Sequence, residues 1–243
     1  MPEKSTPDKP KAKATKARGT KPAALYSKLL ETYGTIDAIE LGDALDKALF
    51  VKLIGHMTIP DATKAYNAFK SNFVDWNEVR ISSAKDVQEV VKAADEPLEV
   101  ALALKDFLNR LFEDHHHLGL EFLREKSISE IRSFFKKSQS MGEAPMQTLM
   151  NDMKEYPVLP IETWMQPLTQ RLGLTQGDTT PLQQQKDLFQ TLNGEPLLDV
   201  YAALATHART VCTAEDGTMN CPQCVVKRSC PHTPKTTARS RKK

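Results

Sequence analysis

The stretch CTAEDGTMNCPQCVVKRSCP, residues 212–231, holds all four cysteines of a 243-residue chain. Eight residues separate Cys212 from Cys221, two separate Cys221 from Cys224, and five separate Cys224 from Cys230. Two thiolates two residues apart grip one centre from a tight turn, and two flanking thiolates complete a set of four. Three readings compete. Disulfides are disfavoured, because the N-terminal MPEKSTPDKPK lacks the apolar core of a secretory signal and thiols stay reduced in the cytoplasm, the expected address. A structural Zn2+ and a cubane [4Fe-4S] cluster ask for the same four thiolates, and spacing alone does not separate them.

Upstream of this loop the chain reads as helices separated by short breakers. Leu25, Leu29 and Leu30 open an amphipathic stretch ended near Gly34, and Leu45, Leu49, Phe50, Leu53 and Ile54 recur at three- and four-residue steps. Pro60 ends that helix or starts the next, in which Ala65, Ala68 and Phe69 face inward. Ser83 with Asp86 and Ser127 with Glu130 have the spacing of helix starts, the latter that of a capping box. Leu104, Phe107, Leu108 and Leu111 give the clearest helical period, and leucines between 168 and 204 mark three further helices. No segment alternates apolar and polar residues long enough for a strand, so the expected fold is all-α. With 40% hydrophobic and 26% charged residues the chain can bury a core, and no run of about 18 apolar residues offers a membrane span.

Charge divides unevenly. Residues 1–22 carry seven bases against Glu3 and Asp8, and residues 227–243 carry seven bases and no acid, so a net charge of +2 leaves the body at −10. Both ends are poor in apolar residues and read as disordered basic segments, 1–22 and 232–243. Basic tails suit a polyanion or serve solubility alone.

The residues around the cysteines resemble a known family. His207 through Cys212, Cys221-Pro222-Gln223-Cys224 and Ser229-Cys230-Pro231 look like the C-terminal iron–sulfur loop of the endonuclease III-like helix-hairpin-helix DNA glycosylases, whose usual first gap is six residues rather than eight. The likeness extends to IGHMTIPDATKAYNAF (54–69), to Phe73-Val74-Asp75-Trp76, and to PVLPIETW (157–164) followed by Arg171-Leu172-Gly173-Leu174. It implies a two-lobed helical fold: residues 23–39 and 156–231 forming a cluster lobe, and 40–155 a central bundle with a degenerate helix-hairpin-helix. It also implies a groove for double-stranded DNA, a role in base-excision repair, and a [4Fe-4S] cluster on Cys212, Cys221, Cys224 and Cys230. A monomer is expected.

Departures from the family's pattern shape the expected chemistry. In place of the family's hairpin the chain reads SQSMGEAPM (138–146), where Gly142 remains of two glycines and Ser140 stands for the other. Ala144 stands where bifunctional members carry the lysine that attacks the sugar, so β-lyase chemistry by that route is not expected. Glu162 stands for the family's aspartate and is the candidate catalytic group of a monofunctional glycosylase, or else a helix cap. Met57 stands where the family often places a glutamine that fills the gap left by a flipped base; core packing is the competing reading. Gly142, Met57, Lys227 and Arg228 are the candidate DNA contacts. The alternative is a catalytically silent protein, or a non-enzymatic DNA-binding or scaffold protein that keeps the fold and cluster. Consecutive His115, His116 and His117 cannot converge on one ion from a helix and read as a solvated helix end.

Overall fold

A computed structural model of the chain describes residues 22–36, 39–212 and 219–232. Residues 1–21 and 233–243 of the two basic tails, and Glu215 and Asp216 within the cysteine loop, lie outside the described residues, whereas Pro22, expected in the N-terminal tail, opens a helix. Among the described residues the fold is all-α, and the only β feature is an isolated bridge between Cys212 and Met219. Eleven α-helices appear among them: α1 Pro22–Tyr33, α2 Ala44–Ile54, α3 Ile59–Asn72, α4 Trp76–Ile81, α5 Ala84–Val90, α6 Pro97–His115, α7 Ile128–Lys137, α8 Glu143–Lys154, α9 Gln166–Arg171, α10 Pro181–Gln190 and α11 Leu197–Thr210.

Local chemistry sets the starts. Asp43, Thr58, Asp75, Ser83 and Thr180 each accept the backbone N–H three residues on, satisfying a donor that the helix leaves orphaned. Pro60 falls in the first turn of α3, where its missing N–H is harmless. Ser127 and Glu130 close the expected capping box. His116 ends α6 in the left-handed region with φ 54°, which agrees with a solvated end.

Helix α1 packs on α11, α2 on α8, α7 on α8, and both α4 and α5 on α6. Long-range polar contacts fasten α1 and the segment just after it: Tyr26 Oη lies 2.8 Å from Thr191 Oγ1, Ser27 Oγ donates to Glu195, and Ile36 N, beyond the helix, donates to the buried Asp199 at 2.6 Å. One apolar core runs from Leu25 through Leu104 and Leu149 to Val226. No helix among the described residues is long and apolar enough to cross a membrane.

Asp46 on α2 is a buried charge, 5% exposed, that accepts from Lys70 Nζ at 2.8 Å, Trp76 Nε1 at 2.5 Å and Gly42 N at 3.1 Å. Burial works to raise its pKa, but the donors and the Lys70 charge outweigh burial and hold the carboxyl below its ordinary value. This node joins α2, α3 and the start of α4. Asp46→Ala should destabilise the fold by about 2 kcal/mol, read as a lower urea midpoint at unchanged slope.

Candidate functional site

A cavity of about 410 Å³ opens where the C-terminal end of α2, the N-terminal turn of α8, the 161–166 segment and α10 meet. Its walls include Lys52, His56, Gly142, Ala144, Glu162 and Trp164. Such a volume lies within the range of small-molecule sites.

Glu162 enters at the start of a single 3-10 turn, Thr163–Met165, yet makes no side-chain cap to it. Its carboxylate instead accepts from Trp164 Nε1 at 2.6 Å and from Tyr201 Oη at 3.0 Å. The capping role set against catalysis is therefore not the one adopted. Tyr201 is fully buried, and burial first, then the Glu162 charge, holds its phenol well above the usual value, so it stays a donor. Gly55 passes close by: a Cβ there would sit 3.2 Å from Glu162 Oε1. Trp164 in turn carries the Arg209 guanidinium 4.6 Å above its ring, while Arg209 donates to Gly55 O at 2.6 Å and pairs with Asp95. The carboxylate is thus fixed from two sides by groups that are themselves held.

Gly142 precedes α8 with φ 78° and ψ −174°, a conformation open to glycine almost alone, which explains its retention. Ser140 Oγ is turned away to Asp106 at 3.0 Å, so the stand-in for the first hairpin glycine is engaged by an acid. Ala144 is buried at 1% exposure on the cavity wall and brings no amine. Met57 is also 1% exposed and packs in the core, so in this conformation it is not offered to a groove. The competing core reading of Met57 describes its position. Lys227 and Arg228 are exposed on the cysteine loop, outside the cavity wall; Lys227 Nζ donates to Pro222 O at 2.7 Å.

Two groups that sequence reasoning did not assign to the site line this cavity. Lys52 projects from the apolar run of α2, and burial lowers its pKa against the opposing pull of Glu162 and Glu99. His56 follows α2, and burial, then Lys52 and Arg209, lower its pKa to about 4, while Glu99 opposes. A neutral native histidine that must charge on unfolding removes stability as the pH falls from the ordinary histidine value toward 4. With its partial exposure discounted, that loss should reach about 2 kcal/mol at pH 4. His56→Gln should flatten this part of a melting-temperature profile between pH 7 and 4.

At the other end of α11 the four cysteines line one small apolar cavity with Leu172, Val211 and Met219. All four thiols are free. Burial raises the Cys224 pKa, and Cys230, Cys212 and Cys221 raise it further, so the sulfurs feel one another. Arg171 Nη1 stands 3.4 Å from Cys212 Sγ, and Cys230 Sγ donates to Arg171 O at 3.4 Å. His207, fully buried, lies between Tyr33 Oη at 2.7 Å on Nδ1 and Cys224 Sγ at 3.5 Å on Nε2. Burial lowers its pKa to about 4, so the ring is neutral, and one of its nitrogens donates while the other accepts. Four soft thiols around one pocket fit an iron–sulfur cluster or zinc by donor chemistry. No three ligating side chains among the described residues are gathered as a single-ion site.

No family model matches the chain. A candidate DNA glycosylase of Arabidopsis thaliana is 21% identical over 193 residues, covering 79% of this chain and 64% of that protein. The DNA glycosylase/AP lyase ROS1 of Arabidopsis thaliana is 24% identical over 176 residues, 65% of this chain and 12% of that protein. The chain therefore spans less than two thirds of these relatives. Among solved structures, a non-covalent endonuclease III–DNA complex aligns with TM-score 0.57 at 13% identity, covering 86% of this chain and 94% of that one. A thermostable thymine-DNA glycosylase aligns with TM-score 0.54 at 12% identity, over 88% and 96%. The fold they share is the one expected from the cysteine loop and the segments upstream of it: the chain has the all-helical fold of the endonuclease III-like structures, and its sequence is similar to those of DNA glycosylases.

Proposed function

We propose that this chain binds duplex DNA over the 410 Å³ cavity and removes a base from it, with Glu162 stabilising the cationic sugar or activating the attacking water. The observation that carries this reading is a carboxylate held by Tyr201 and Trp164 on the wall of a cavity that Gly142 and Ala144 also line. A positioned carboxylate needs no covalent partner to assist N-glycosidic cleavage, which agrees with the alanine at position 144.

In this reading the four cysteines hold a [4Fe-4S] cluster in preference to Zn2+, a choice supported by the resemblance of the loop. Cys212, Cys221, Cys224 and Cys230 would be its ligands, and the cluster would supply structural closure of the loop beneath α11. Exposed Lys227 and Arg228 are the described loop residues suited to phosphate, and Gly142 leaves the N-terminus of α8 open to it. The protein acts as a monomer in the cytoplasm, and residues 23–39 with 156–231 form the cluster lobe against a 40–155 bundle.

The test is single-turnover excision on duplexes carrying uracil, an oxidised pyrimidine or a mismatch, with binding measured by fluorescence anisotropy. Product from at least one duplex is expected. Binding without any product would favour the scaffold alternative, and absence of binding would remove DNA as the ligand.

A further inference from the structure

Within LFVKLIG, residues 49–55, the side chains of Leu49, Phe50, Val51, Leu53 and Ile54 are all buried in the core. Lys52 is the polar exception, on the same face of α2 as the opening of the cavity. Other lysines of the central bundle are tied down: Lys70 to Asp46, Lys105 to the carbonyls of Arg80 and Ser82, Lys47 to Asp152. Among the described residues no hydrogen bond or ion pair occupies the Lys52 amine; the charges of Glu162, on the cavity wall, and of Glu99, outside it, act on it from beyond direct contact. A half-buried ammonium without a direct partner is poorly compensated, whereas a neutral amine in the same place is tolerated and nucleophilic. Burial shifts Lys52 in that direction.

We infer that Lys52 is a nucleophilic amine of this site, whose target is the aldehyde carbon of an abasic deoxyribose in the cavity. This inference rests on the DNA-directed reading above and adds strand cleavage to it. The Nζ lone pair adds to C1′ of the ring-opened sugar, and the former aldehyde oxygen leaves as water when the carbon–nitrogen double bond forms. Glu162, on the same cavity wall, takes a proton from C2′; the released electron pair forms the C2′–C3′ double bond as the C3′–O bond breaks, and the phosphate departs. Water then hydrolyses the carbon–nitrogen double bond, restoring the amine. No oxidant or reductant enters. The amine comes from α2, whereas Ala144 is on α8, so loss of a hairpin lysine does not remove lyase chemistry from this cavity.

The experiment traps the linkage with borohydride on a duplex containing one abasic site and maps the adducted peptide by mass spectrometry. Binding of the same duplex is measured in parallel. An adduct on Lys52 is expected, with Lys52→Arg reducing its yield about 100-fold, because a guanidinium keeps the charge but is not a nucleophile at neutral pH. Lys64→Arg, at an exposed site on α3, should trap like the parent, and thermal melting should show that Lys52→Arg is folded. No adduct, or an adduct confined to a different amine, would overturn the inference. In either case, persisting duplex binding and base excision would leave the reading of Glu162 and the cavity standing, and their absence would remove that too.

Discussion

Glu162→Gln should slow base excision about 10³-fold while leaving affinity for the duplex nearly unchanged. The substitution keeps volume and one acceptor oxygen, so either Trp164 Nε1 or Tyr201 Oη retains its partner. What disappears is the negative charge and the ability to take a proton, which act only once the glycosidic bond begins to break. The loss should fall on the single-turnover rate constant rather than on the dissociation constant. Glu162→Asp offers a second reading of the same site. It restores the residue that the resembled family carries and shortens the reach by one methylene, so a smaller loss than that of Glu162→Gln is expected. Unchanged excision in Glu162→Gln would strike this carboxylate from the chemistry.

Replacing Cys224 by Ser should be the most destabilising change among those considered. Cys224 is the thiol that approaches His207, and His207 bonds Tyr33 of α1, so the loop, α11 and α1 meet at this one sulfur. Loss of a bound centre removes its binding free energy from the folded state only. For a loss of about 4 kcal/mol the melting temperature of a chain this size falls by roughly 10 °C. Protein purified without oxygen should contain iron and sulfide and be coloured, whereas zinc, with its filled d shell, leaves it colourless. Cys224→Ser should lose the colour and the stability together. Colourless protein containing zinc and no iron would replace the cluster, and metal-free protein with unchanged stability would leave the four cysteines without a joint role.

Much of the fold could be read before any coordinates because its signals are local. The Ser127–Glu130 box, Pro60 in a first turn and Ser83 three residues before Asp86 all act within one helical turn, and each falls where the structure has a helix start. The cysteine spacing is equally local, and it carries the likeness that the solved structures bear out at the level of fold. The cavity was only half legible. Glu162 and its neighbour Trp164 could be found by their place in PVLPIETW, but the second partner, Tyr201, lies on α11, and nothing in the local pattern joins position 162 to 201.

Lys52 was invisible for a sharper reason. It sits in a run whose period reports a buried helix face, and period alone cannot tell which edge of that face meets protein and which meets a void. The void is made by α8, α10 and the 161–166 segment, all at least 90 residues downstream. Asp46 shows the same limit, since a carboxylate on a predicted core helix is explained only by Lys70 and Trp76. Met57 had two readings, a DNA contact by resemblance and a core residue by its chemistry, and in this structure it is buried in the core.

The anchoring of α1 sets the order in which this protein can be made. The fasteners of α1 and of the segment just after it, Thr191, Glu195, Asp199 and His207, lie between 163 and 174 residues farther along. On the ribosome the first helix therefore emerges with its apolar side bare and stays without its docking surface until nearly everything described has been synthesised. At an elongation rate of about 10 residues per second that interval is on the order of 17 seconds. During that time the apolar side of α1 is exposed, and premature termination anywhere before position 191 releases a product in which α1 has none of these partners.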